Sequence, residues 1–162
     1  MLPERNILLK LDDAQLSAVC QISFTKGSGP GGQKRNKTSS AVTVSLPGTN
    51  FTAGDCTERS QIRNRTNALR KLRMQIACMW RITPAETPER MDCAISSPDY
   101  PLFAAQILDI FSENCCDHKL SAAQCGISTS AFLKKLHRDP ELWQQVQKMR
   151  QAAALPPLVS PK

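Results

Sequence analysis

Val19-Cys20-Gln21-Ile22-Ser23-Phe24-Thr25 runs directly into Lys26-Gly27-Ser28-Gly29-Pro30-Gly31-Gly32-Gln33, and the reading of the fold turns on these two pieces. In the first, Cys20, Ile22 and Phe24 alternate with Gln21 and Ser23, the two-residue period of a half-buried strand. In the second, four glycines and a proline take five of the six positions from Gly27 to Gly32. Glycine admits positive φ and lets backbone approach a ligand closely, at an entropic cost when it is ordered. A plain flexible connection between strands would need no such density. A phosphate-binding loop is the other reading, but Gly-Lys-Ser/Thr is absent, and Gly27, Gly29 and Gly32, though at GxGxxG spacing, lead toward a second strand rather than opening a helix.

Outward from this core, Ala41 to Leu46 reads as a second strand, Pro47-Gly48 as a turn, and Asn50 to Ala53 as a third strand returning beside it. Upstream, the stretch through Ala18 is helical, with Asp12 or Asp13 as its cap. Downstream, a long helix is expected from Asp55 or Thr57, with Asp55 and Glu58 at capping-box spacing. Ile62, Leu69, Leu72, Ile76 and Met79 fall on one side of it, and Arg59, Arg63, Arg70 and Arg81 on an adjacent stripe that meets solvent. Arg65 projects into the apolar side, where it needs a buried partner or a snorkelling stem. The expected class is α+β, a small mixed sheet packed on a long helix over residues 1–82.

Pro84, Pro88, Pro98 and Pro101 punctuate residues 83–101, which lack periodicity and read as a linker. Residues 102–162 read as a small all-helical module. Leu102 to Ser112 is an apolar helix, and Lys119 to Cys125 a short one closed by Gly126. Ser128 caps a helix carrying Phe132, Leu133 and Leu136; Pro140 opens a last helix through Trp143, Val146 and Met149. The run from Ser121 to Leu136 has the pattern of a helix-turn-helix, though a helical hairpin packed on itself fits as well. If the module binds nucleic acid, Lys134, Lys135 and Arg138 are its candidates. The tail from Leu155 to Lys162 is expected to be loose.

Gly27-Ser28-Gly29-Pro30-Gly31-Gly32-Gln33, followed by Asn36-Lys37-Thr38-Ser39-Ser40-Ala41-Val42, closely resembles the loop and following strand of class I peptide chain release factors and their small ribosome-rescue relatives. Arg59-Ser60-Gln61 with Asn64-Arg65 and Ala68-Leu69 is similar to the start of that family's next helix. The likeness spans residues 12–82 and implies the family's chemistry: hydrolysis, with water as nucleophile, of the ester joining a nascent peptide to tRNA in the ribosomal peptidyl-transferase centre. Carried onto this chain, Gly31 and Gly32 give the loop its backbone path. The Gln33 N–H stabilises the transition state or leaving hydroxyl, as an oxyanion hole does, and the Gln33 side chain shapes a pocket that water fits. Lys26, Lys34, Arg35 and Lys37 would neutralise RNA phosphates around the loop, with Arg59, Arg63 and Arg70 as further contacts. The implied partners are ribosomal RNA and peptidyl-tRNA.

The loop's own residues agree with this division of labour. It holds no His, Asp, Glu or Cys to act as a base, and Ser28 has no evident activating partner. Positioning and electrostatics are then what the protein supplies. Lys34-Arg35 departs from relatives that carry an apolar residue between the Gly-Gly-Gln and Asn-Lys elements, and is read as a strengthened charge contact. Nothing resembles a stop-codon-reading tripeptide, and residues 1–11 leave no room for the long N-terminal helical domain of full-length factors. Codon-independent release on stalled ribosomes is therefore expected. The strongly basic tail of rescue hydrolases is also missing: from Asp117 to Lys162 there are seven Lys and Arg against three acids.

The charge of +7 favours a polyanionic partner. It is clustered, with four bases and no acid from Lys26 to Lys37, and seven bases to one acid from Glu58 to Arg81. Seven cysteines, an odd count with no secretory signal, indicate reduced thiols and a cytoplasmic protein. Cys115, Cys116, His118 and Cys125 lack tight metal-ligand spacing, so neither metal nor cofactor is assigned. No run approaches the roughly 20 apolar residues of a membrane span; a monomer without membrane contact is expected. Two rival readings remain: a non-catalytic RNA- or ribosome-binding factor on the same basic surfaces, and a DNA-binding regulator acting through the C-terminal helices. An intact Gln33 argues against the first, and the glycine loop is left unexplained by the second.

Overall fold

The computed structural model describes residues 4–25, 41–83 and 85–161, and the chain divides into two compact units, 1–76 and 77–162. The first unit opens with α1 (Arg5–Lys10) and α2 (Asp13–Val19). Asp12 caps α2 in a reciprocal box: its carboxylate accepts from the Gln15 N–H at 2.7 Å, and the Gln15 side chain accepts from the Asp12 N–H at 3.1 Å. Strands β1 (Gln21–Thr25), β2 (Ala41–Ser45) and β3 (Thr52–Asp55) follow, then the long helix α3 (Gln61–Met79). The strands lie in the order β1-β2-β3. The α+β class is as expected, but the sheet is antiparallel in both pairings rather than mixed.

Between β2 and β3 the chain turns at Gly48, whose φ of 77° lies in the left-handed region where a side chain is disfavoured. The Thr49 hydroxyl locks this turn by donating to the Leu46 carbonyl at 2.7 Å. Because side chains alternate along a strand, the register puts Ile22, Phe24, Val42, Val44 and Ala53 on one face. Val42, Val44, Leu46, Leu8, Leu9 and Leu16 are buried, together with Ala68, Leu69, Leu72 and Ile76 of α3. Each fully buried leucine or isoleucine contributes roughly 1.5–3 kcal/mol. The helix also covers the free edge of β3: Gln75 accepts from the Thr52 N–H at 3.1 Å, and Lys71 donates to the Gly54 carbonyl at 3.3 Å. An open strand edge is thereby partly closed.

Two expectations for α3 need correction. It starts at Gln61, because Asp55 ends β3 and accepts from the Thr57 N–H at 3.0 Å instead of capping a helix. Ile62 and Met79, assigned to the apolar side by their period, are 79% and 62% exposed. Asn64 is the residue buried in the helix's first turn. Arg65 does find a buried partner, its Nε donating to the Ser17 hydroxyl at 3.3 Å, while its own side chain stays exposed.

The second unit is helical: α4 (Tyr100–Glu113), α5 (His118–Gln124), α6 (Thr129–His137) and α7 (Pro140–Ala152). Helix α4 is buried along most of its length, including Asp109, and forms the core element with Phe132, Leu136, Leu142 and Val146. Caps define the joints. Asp117 accepts from the Lys119 and Leu120 N–H groups, Ser128 from Ala131, and Asp139 from Glu141. Gly126, at φ 66°, turns the chain between α5 and α6.

The described residues of 80–99 form no helix or strand, yet they are tied into this unit. Ile82 N–H donates to Asp109 at 3.2 Å, Ala85 N–H to Glu113 at 3.4 Å, and Arg138 to the Cys93 carbonyl. The tail is a correction. Gln147 exchanges two hydrogen bonds of 2.9 Å with the backbone of Leu158, and Arg150 donates to the Pro156 carbonyl at 2.7 Å. Residues 155–158 fold back along α7 rather than lying loose, because two side chains supply the partners their extended backbone needs.

Candidate functional site

Residues Lys26, Gly31, Gly32, Gln33, Lys34, Arg35 and Lys37, assigned to the catalytic loop and its phosphate contacts, lie outside the described residues. The frame they depart from is described. β1 ends at Thr25 and β2 begins at Ala41, and these two residues are register partners. The fifteen residues 26–40 therefore leave and rejoin the sheet at adjacent points.

The same end of the sheet gathers the next functional segment. β3 runs back beside β2 and finishes at Asp55, opposite Val42 and one residue from Ala41. Residues 56–60 then turn into α3, which starts here and runs away from this end: Lys71 reaches Gly54, while Gln75, further along, reaches Thr52. Arg59 sits in the turn, and Arg63 and Arg70 follow on α3, all exposed. At about 100° per residue Arg63 and Arg70 share one stripe of the helix, on the side turned away from Ala68, Leu72 and Ile76. Arg63 meets Glu58 at only 3.8 Å with a side chain 74% exposed, so its charge stays available to a polyanion. Arg73 and Arg81 are used otherwise. Arg73 is 2.6 Å from Asp13 and donates to the Leu11 carbonyl at 2.9 Å. Arg81, expected on the solvent stripe, pairs with buried Asp109 at 3.0 Å and donates to the Ala77 and Ala105 carbonyls.

Two buried polar residues support this end, and their role was not legible in the sequence. Asn64, 0% exposed, accepts from the Glu58 N–H and donates to the Glu58 carbonyl, both at 2.9 Å. Burial pushes the Asp55 carboxyl up, but the Thr57 amide and hydroxyl and the Asn67 side chain outweigh it. With Lys71 nearby they hold its pKa below the usual carboxylate range. The available signal was a polar Asn64 on the helical side that Ala68 and Leu72 occupy.

In the second unit Lys134 is exposed and Lys135 half-buried, whereas the Arg138 guanidinium is engaged internally. It lies 5.6 Å from the centre of the Tyr100 ring and 5.8 Å from that of Phe103, besides donating to Cys93. The Tyr100 hydroxyl donates to Asp139 at 2.8 Å, and burial with that carboxylate raises its pKa. Burial also raises the Cys78 and Cys125 thiols to about 11, which leaves them protonated and unreactive at neutral pH. Among the described residues no group of three or more His, Cys, Asp or Glu side chains is placed to hold a metal ion. None of the described helices is long and apolar enough to cross a membrane.

In comparison with protein families, the RF-1 domain matches residues 9–95, more than half of the chain. No curated protein and no solved structure matches.

Proposed function

The chain belongs to the RF-1 domain family, with its release-factor role in peptidyl-tRNA hydrolysis, and from this premise we propose that it is a codon-independent peptidyl-tRNA hydrolase acting on stalled ribosomes. The observation that carries the reading is the sequence Gly27 to Gln33 placed between strands whose ends meet at Thr25 and Ala41. In this reading the segment 26–40, which joins the two strand ends, meets the peptidyl-transferase centre. Gly31 and Gly32 allow its backbone path, the Gln33 N–H faces the developing charge, and the Gln33 side chain admits water. The ribosome supplies the oriented substrate, so no resident base is required. Lys26, Lys34, Arg35, Lys37, Arg59, Arg63 and Arg70 contact RNA phosphates around the loop. Lys134 and Lys135 are the bases of the helical module open to a further RNA contact.

A cytoplasmic location and a monomeric state complete the proposal. The test is peptide release from ribosomes carrying labelled peptidyl-tRNA and an empty decoding site. Wild type is expected to release peptide, and Gln33→Ala to be slower by on the order of a hundredfold while still binding ribosomes. Equal rates in the two proteins would remove Gln33 from the mechanism. Binding without release by either would favour the non-catalytic reading.

A further inference from the structure

Asn64 is an expensive residue for its place. An amide taken out of water costs several kcal/mol unless it is hydrogen-bonded, and an apolar side chain would fill the same face of α3, as Ala68 and Leu72 do further along. What the amide adds is a tie to one residue, Glu58, whose N–H and C=O it pairs at 2.9 Å each. A second tie lies just before it: Asp55, 6% exposed, accepts from the Thr57 N–H at 3.0 Å and meets Lys71 at 3.6 Å. After Glu58, the Ser60 carbonyl accepts from the Asn64 N–H at 3.0 Å and its hydroxyl from the Arg63 N–H at 3.4 Å. Arg59 is thus flanked on both sides by anchored backbone while its own side chain stays exposed. A buried polar network that is satisfied in this way fixes one geometry where apolar packing would allow several.

We propose that Asn64 is a positioning residue for peptide release: through Glu58 it holds Arg59 and the first turn of α3 at the sheet end where residues 26–40 depart. Asn64 touches neither RNA nor substrate. It sets where the Arg59 charge meets RNA relative to the loop, and so acts on ribosome docking rather than on the hydrolytic step. The inference rests on the proposed function above for its partner, the ribosome.

The experiment measures ribosome affinity by co-sedimentation and peptide release as a function of ribosome concentration. The proteins are wild type, Asn64→Ala, Asn64→Asp, Arg59→Ala, the double variant Arg59→Ala/Asn64→Ala, and the core control Ile76→Val. Asn64→Asp keeps the shape and one acceptor while losing the donor to Glu58, and serves if the alanine variant fails to fold. Loss of the Asn64 amide is expected to weaken ribosome affinity roughly tenfold, the equivalent of one misplaced charge contact, with the maximal release rate unchanged. Because Asn64 acts through Arg59, the double variant is expected to be no weaker than Arg59→Ala alone. Ile76→Val lowers the melting temperature without moving affinity. If the Asn64 variants melt earlier but bind ribosomes like wild type, or if their loss adds to that of Arg59→Ala, the positioning role is wrong. A wild type that binds but releases nothing overturns the hydrolase reading, and the affinity series still decides Asn64.

Discussion

Asp55 shows how a single carboxylate can be read for both geometry and pH. Burial works to raise its pKa, but donors from Thr57 and Asn67, with Lys71 at 3.6 Å, bring it below the ordinary value. The folded chain therefore binds this proton more weakly than the unfolded chain. The resulting stabilisation is complete above the unfolded carboxyl pKa of about 3.9 and is lost as pH falls through the lower folded value. Thermal melts of wild type across about pH 2 to 5 should accordingly fall more steeply than those of Asp55→Asn; parallel curves would show that Asp55 carries no acid-linked stability. The signal for Asp55 in the sequence was ambiguous. Its spacing to Glu58 fits a capping box, and only the β2–β3 pairing shows that the residue completes a strand.

Helices α5 and α6 illustrate what local chemistry settles without help from the rest of the chain. Asp117 and Ser128 accept backbone N–H groups at their helix starts, and Gly126 takes φ 66° between them, as the residue types indicate. Ser128→Ala is expected to cost about 1 kcal/mol. Gly126→Ala meets no atom within 4 Å, so its cost, about 1 kcal/mol, comes from the left-handed backbone alone. Denaturant unfolding of both variants checks this: a neutral Gly126→Ala would mean the turn relaxes. Helix α3 is the contrary case. Its period placed Ile62 and Met79 with Leu69, Leu72 and Ile76, but a period gives only a direction around the axis. Burial also needs an element lying over that position, and at Ile62 and Met79 the side chain stays exposed.

Across the molecule, charge is divided as sharply as structure. Residues 1–76 carry twelve Lys and Arg against five Asp and Glu, whereas residues 77–162 carry nine of each, so the net +7 belongs to the first unit. Within the second, Arg81, Arg138 and Arg150 are spent on the Asp109 carboxylate and on backbone carbonyls. If RNA is met mainly by the first unit, the salt dependence of ribosome binding should reside there. Arg63→Ala and Arg70→Ala are each expected to reduce the slope of log affinity against log salt by about one, and Lys134→Ala by less. An equal effect of Lys134→Ala, measured over a range of potassium chloride concentrations, would assign the helical module a direct phosphate contact.

Legible in the amino-acid sequence alone were the α+β class, the helical character of residues 102–162, the caps that start α2 and α6, and the proline that opens α7. It also displayed the Gly27–Gln33 motif and the basic clusters on which the RF-1 match and the proposed chemistry rest. These are properties of neighbours along the chain: alternation, helical period, glycine density and capping chemistry act within a few residues. Tertiary structure decided which groups those local elements would satisfy. It buried Asn64 where Ile62 was expected, took Arg81 and Arg138 out of the pool of exposed charges, and laid residues 155–158 against Gln147 and Arg150. The physical reason is that a buried or extended polar group takes its partner from whatever the fold brings near, often tens of residues away, and no local pattern encodes that distance.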